Sequence, residues 1–153
     1  MKTIILAALG IGLATTALAE IQIHDAYARS GVPGARTGGA YMEIHNTGPE
    51  DDRLIGIKTD IAQMNQIHNN IITDGVAQMV EAKGGIAIAA GETHRLARGG
   101  DHLMFMGLSD ALEQGDMLDI ILIFEHAGEI ALQIPVDYTR SNDEAHGTDH
   151  SHN

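Results

Sequence analysis

Ile67-His68-Asn69-Asn70-Ile71-Ile72-Thr73, then Asp74-Gly75, then Val76-Ala77-Gln78-Met79-Val80-Glu81-Ala82: two extended runs about a two-residue turn set the fold class. An Asp-Gly pair accepts positive φ at both central positions, which matches the twist of a tight β-hairpin. The same grammar recurs on both sides. Ile21 to Tyr27 reads as a first strand, and Gly31 to Gly39 as a glycine-rich loop. Ala40 to His45 reads as a second strand, closed by Asn46-Thr47-Gly48-Pro49, and Arg53 to Ile57 as a third. Ile61 to Gln66 is left without a firm assignment, a helical turn being one option. Ile86 to Ile88 and His102 to Leu108 are further strands. Met117 to Phe124 and Glu129 to Tyr138 form a second hairpin about His126-Ala127-Gly128. Short strands without helical alternation predict an all-β, antiparallel Greek-key sandwich or barrel.

The chain ends carry different signals. Lys2, an apolar run from Ile4 to Ala14 and small residues at Ala17 and Ala19 read as a signal peptide over residues 1–19, cleaved near Ala19. That run is too short for a permanent membrane span. Residues 20–138 then form one domain, and residues 139–153 a disordered tail rich in His and acidic side chains. Export makes the lack of cysteine informative. A domain in an oxidising compartment is here held by packing alone, and thiolate chemistry of every kind is excluded. The formal charge of −12, or −13 once Lys2 is removed, repels nucleic acid and anionic membranes and suits a cationic ligand or a partner with a basic face.

Within this frame four soft donors are spaced along the chain. Ten residues separate His68 from Met79, twenty-two separate Met79 from His102, and one separates His102 from Met104. Positions i and i+2 of a strand share a face. His102, Met104 and Met106 therefore point one way, and Leu103 and Phe105 the other. The Asp74-Gly75 hairpin can bring His68 towards Met79. Thioether sulfur is soft and uncharged, so two imidazoles with two thioethers select Cu(I) over zinc, calcium or magnesium. A blue-copper electron carrier needs a thiolate that this chain lacks. Singly, each residue has a plainer use. Met79 suits a core, His68 suits a polar loop edge, and His-x-Met arises by chance roughly 0.4 times in such a chain. Together, in an exported cysteine-free β domain, they read as one metal site. Met42, Met64, Met106 and Met117 are assigned to packing; His94 is only a weaker candidate for a supporting or spare ligand. In the tail, His146, His150 and His152 among acidic residues offer a harder donor set suited to Cu(II).

The pattern His68, Met79, His102-x-Met104 resembles the periplasmic copper chaperone family of PCuAC type. So do the flanks Asp25-Ala26-Tyr27-Ala28-Arg29, Ala40-Tyr41-Met42, Gly99-Gly100-Asp101-His102-Leu103-Met104-Phe105-Met106-Gly107-Leu108 and Phe124-Glu125-His126-Ala127-Gly128-Glu129. The resemblance implies a cupredoxin-like sandwich in the periplasm that binds one Cu(I) through those four side chains. It also implies delivery by ligand exchange to the CuA centre of cytochrome c oxidase subunit II, alongside a Sco-type protein, and no enzymatic activity. Many relatives carry a further Met or His after the first ligand, where this chain has Asn69 and Asn70. The competing readings are a periplasmic copper buffer or scavenger, a copper-dependent enzyme, and a non-metal β-sandwich interaction module. No Ser-His-Asp or His-Glu-x-x-His signature supports the enzyme.

Overall fold

From Ile21 onward, period-two patterning produces strands. In a computed structural model the described residues are 20–140. The segments read as signal peptide and as the tail beyond residue 140, with His146, His150 and His152, lie outside them. The elements are β1 (Ile21–Arg29), β2 (Thr37–Asn46), β3 (Asp52–Lys58), β4 (Ala62–Thr73), β5 (Val76–Glu81), β6 (Ile86–Ile88), β7 (Thr93–Leu96), β8 (His102–Leu108), β9 (Met117–Phe124) and β10 (Gly128–Pro135). Two antiparallel sheets result. One runs β1-β2-β8-β4-β5, with β7 also on β2; the other runs β10-β9-β3-β6. The expected all-β antiparallel sandwich is what the chain forms.

The core lies between the sheets and follows the alternation. Leu103 and Phe105 of β8 are fully buried, as are Leu54 of β3 and Leu122 of β9. Burying a side chain of this size stabilises the fold by about 1.5–3 kcal/mol, so these inward rows fix which face of each strand looks out. Asp52 is a buried carboxylate with its own partners. It accepts backbone N–H bonds from His126 at 2.9 Å and Ala127 at 3.0 Å, which pins the β9–β10 turn to β3.

Three local expectations are corrected. Ile61 to Gln66 is no helical turn, because β4 already starts at Ala62. The stretch Ala62-Gln63-Met64-Asn65-Gln66 has little β-branching, and its extended form comes from pairing with β8, where tertiary contacts outweigh propensity. Thr93–Leu96, unassigned from sequence, is a short strand on the C-terminal half of β2. The glycine-rich loop ends three residues early, as Thr37, Gly38 and Gly39 already lie in β2. Gly38 packs closely, since a Cβ there would sit 2.9 Å from Leu112 Cδ1 and push that side chain aside. The Asp74-Gly75 turn forms as read, with φ of 52° and 79°.

Two irregularities shape the outer surface of the larger sheet. In β1 the register shifts between His24 and Tyr27, with Asp25 at φ 56°. This bulge sets Tyr27 opposite Tyr41 of β2. In β8, Gly107 at φ 67° breaks the alternation, so Leu108 turns into the core instead of outward. Thr139 and Arg140, the first residues of the segment read as tail, are held to the sandwich. Arg140 pairs with Asp25 at 2.8 Å and lies over the Tyr27 ring.

Candidate metal centre

Register decides whether the four soft donors meet. In the β4–β8 ladder His68 is the direct partner of His102, and Gln66 of Met104. In the β4–β5 ladder Glu81 opposes His68, and Met79 opposes Asn70. Residues 66, 68 and 70 share one face of β4, so His68, Met79, His102 and Met104 all project from the same side of three adjacent strands. The face is the outer one, because the intervening Ile67, Leu103 and Phe105 are buried in the core. His68 and Met79 are thus diagonal neighbours rather than direct partners. Diagonal positions lie roughly 7–8 Å apart at Cα, within reach of a methionine side chain.

The two imidazoles meet edge to face, with ring centroids 5.5 Å apart. At a metal–nitrogen bond of about 2.0 Å, two imidazoles on one ion hold their ring centres roughly 5–6 Å apart. The pair is therefore spaced for a shared ion. Their hydrogen bonds set the tautomers. His102 Nδ1 donates to the Gly100 carbonyl at 3.0 Å, which leaves the Nε2 lone pair free. This backbone bond orients the ring in the way usual for metal-bound histidine. His68 Nε2 lies 3.0 Å from Gln66 Oε1. In that pairing Nε2 carries the proton and Nδ1 holds the lone pair; a flip of the Gln66 amide reverses the roles.

Burial and charge favour the neutral, ligating state of His68. Desolvation pushes its pKa below the ordinary 6.5, the neighbouring His102 adds to the shift, and Glu81 opposes it. The four donors differ in exposure. His102 is 8% exposed and Met79 is 47% exposed. His102 lies beneath an aromatic row, its ring 6.2 Å from Tyr41, which in turn is 5.2 Å from Tyr27. Tyr41 folds over Gly39, where a Cβ would meet the Tyr41 hydroxyl at 2.8 Å. Gly39 is the direct partner of Met104, so its missing side chain gives Tyr41 room beside that thioether. Burial first and Tyr27 second raise the Tyr41 pKa, which keeps the phenol protonated.

The other candidates separate cleanly. His94 is on β7 and hydrogen-bonds Asp101 at 3.1 Å. Asp101 also accepts the Asn70 backbone N–H at 3.2 Å, and the Asn70 amide donates to the Gly99 carbonyl. His94 thus ties down the loop that delivers His102, from the second layer of the site. Met42 packs in the core as expected, but Met64 and Met117 are about half exposed and are not packing residues. Strand alternation puts Met64 outward, and leaving Ile61 to Gln66 out of the strands hid this. The same omission concealed Gln66, whose face follows from counting back two residues from His68. Tyr41 and Glu81 gave no signal, since they join the site only through pairing.

Among the described residues no group of three or more His, Asp or Glu is placed to hold a metal. The Met79 and Met104 thioethers on the same face are soft, uncharged donors. Among the described residues, too, no helix is long and apolar enough to cross a membrane.

Known proteins share this arrangement of strands. The PCuAC domain of PmoF2 in its copper-bound form superposes with a TM-score of 0.64 at 24% identity, over 80% of this chain and 96% of that domain. Cu(I)-bound DR1885 from Deinococcus radiodurans gives 0.61 at 27% identity, over 76% of this chain and 79% of that one. The sandwich is thus the cupredoxin-like fold of PCuAC domains. In sequence, the chain is 31% identical over 128 residues to "Putative lipoprotein Lxx21020" of Leifsonia xyli subsp. xyli (strain CTCB07), across 83% of this chain and 76% of that protein. A family model described as "Putative lipoprotein LpqE-like" matches residues 21–136. With nearly the whole sandwich inside that match, the chain belongs to the LpqE-like family.

Proposed function

We propose that this protein is an exported Cu(I) chaperone, not an enzyme, that holds one ion through His68, Met79, His102 and Met104. The observation that carries the reading is the register His68 to His102, with two facing imidazoles flanked on the same outer face by two thioethers. The likeness to Cu(I)-bound DR1885 supports it. So do the leader-like residues 1–19 and the lipoprotein description of the Leifsonia relative, which fit a periplasmic location.

Two neutral imidazoles and two thioethers leave bound Cu(I) with its single positive charge. Transfer follows by ligand exchange. Met79, on an edge strand and half exposed, yields to an incoming donor while His102 keeps its hold. The recipient in this proposal is the CuA centre of cytochrome c oxidase subunit II, with a Sco-type protein as companion. The tail histidines His146, His150 and His152 add a separate Cu(II) site. Copper buffering without delivery is the alternative, and a transfer assay to a subunit II domain separates the two.

The binding test is an anaerobic Cu(I) titration of the full chain against a competing chelator. One tight equivalent is expected, and it disappears in the Met79→Leu/Met104→Leu variant. Unchanged tight binding in that variant would remove the four-donor site.

A further inference from the structure

The soft face does not end at Met104. Met106 follows on the same side of β8, and its direct partner on β4 is Met64. Met106 is the last outward residue there, because Gly107 turns Leu108 into the core. On its other side Met106 faces Thr37 of β2. Met64 is 52% exposed, so packing does not account for it. A solvent-facing strand position ordinarily carries a polar side chain. Direct cross-strand partners hold their Cβ atoms about 4.5–5.5 Å apart, which lets two flexible thioethers converge on one point. Met104, two residues from Met106 and diagonal to Met64, supplies a third sulfur.

We propose that Met64 and Met106, with Met104 shared, form a second and weaker soft-metal site next to the His68–His102 pair, which serves as the entry and exit step for Cu(I). An all-thioether set is uncharged and soft. It binds Cu(I) or Ag(I) and leaves divalent ions in water. Without an imidazole it holds the ion less firmly than the main centre. Because Met104 belongs to both sets, the ion passes between them by exchanging one donor at a time and is never released. The entry role rests on the Cu(I) reading of the main centre, whereas the thioether site rests on the β4–β8 register itself.

The test uses the full chain with carbon-13 in the methionine methyl groups, titrated with Ag(I) as a redox-inert stand-in for Cu(I). The first equivalent is expected to shift the Met79 and Met104 methyls. Further Ag(I) then shifts Met64 and Met106 together. Met117, a lone methionine of similar exposure on the other sheet, is the internal control. Two thioethers acting jointly should respond at roughly tenfold lower Ag(I) or less than a single one. Replacing Met64 alone with leucine should move the Met106 response up to that of Met117. The proposal is overturned if Met64 and Met106 respond only alongside Met117, or if Met64→Leu leaves the Met106 response unchanged. Failure of the main centre reads out separately, as Met79 and Met104 methyls that ignore the first equivalent.

Discussion

β8 and the β4–β5 hairpin each contribute to the same face, yet they are built very differently. β8 lies inside the sheet between β2 and β4, with Leu103 and Phe105 fully buried beneath it. Its histidine is fixed by the Gly100 carbonyl and is itself almost wholly buried. β5 is an edge strand, and the hairpin tip carries Ile72 at 76% exposure and Val76 at 59%. A site assembled from one rigid and one loosely supported wall can grip an ion on one side and open on the other. For the copper transfer proposed above, tight retention and rapid release make opposing demands, and this division would assign them to different strands.

The largest test of this asymmetry is mechanical. Phe105→Ala removes a fully buried ring and should cost about 3–5 kcal/mol of unfolding free energy. Ile72→Ala at the hairpin tip should stay within about 0.5 kcal/mol, as exposed substitutions do. Urea denaturation of both variants reads the difference, and similar losses would show that the hairpin is as much part of the core as β8.

A smaller effect concerns the ion. His102→Gln should weaken Cu(I) binding on the order of a hundredfold or more, since a directly bound ligand outweighs an outer-layer partner at 10–100-fold. Met79→Leu should cost less affinity and act mainly on the off-rate. Chelator competition with stopped-flow release measures both. Equal losses at the two positions would break the distinction between a gripping and a yielding wall.

The smallest effect is on pH dependence. Burial lowers the His68 pKa in the folded chain, so the unfolded chain takes up that proton at higher pH. The metal-free protein keeps this contribution above the unfolded value of about 6.5 and loses it as pH falls towards the folded value, below which the loss is complete. His68→Gln should flatten that limb of the stability profile, measured as Tm against pH. A limb that survives the substitution would assign the titration to another group.

Much of this was legible in the chain. The Asp74-Gly75 turn, the two hairpins and the inward positions of Leu103 and Phe105 all follow from local rules. What failed did so where the local strand signal was weak. Ala62 to Gln66 has weak strand propensity and is held extended by its neighbour, so the reading stopped β4 short and lost Gln66 and Met64 from the face. Met64 was then assigned to packing, although its partner Met106 sits directly across from it. Thr93–Leu96 was missed because a four-residue strand carries too little pattern to stand out.

The sequence by itself determined which residues share a face within each strand. Side chains alternate with a period of two, so His102, Met104 and Met106 were bound to point the same way. It also determined the donor chemistry, since a chain without cysteine can offer sulfur only as thioether. Only the tertiary structure decided that β8 lies beside β4 and that His68 faces His102. That pairing joins strands distant in the chain, and no turn residue encodes it. Its register is set where Ile67 and Leu103 pack side by side into the core, and a slip of one residue would have buried the histidines and exposed the leucine.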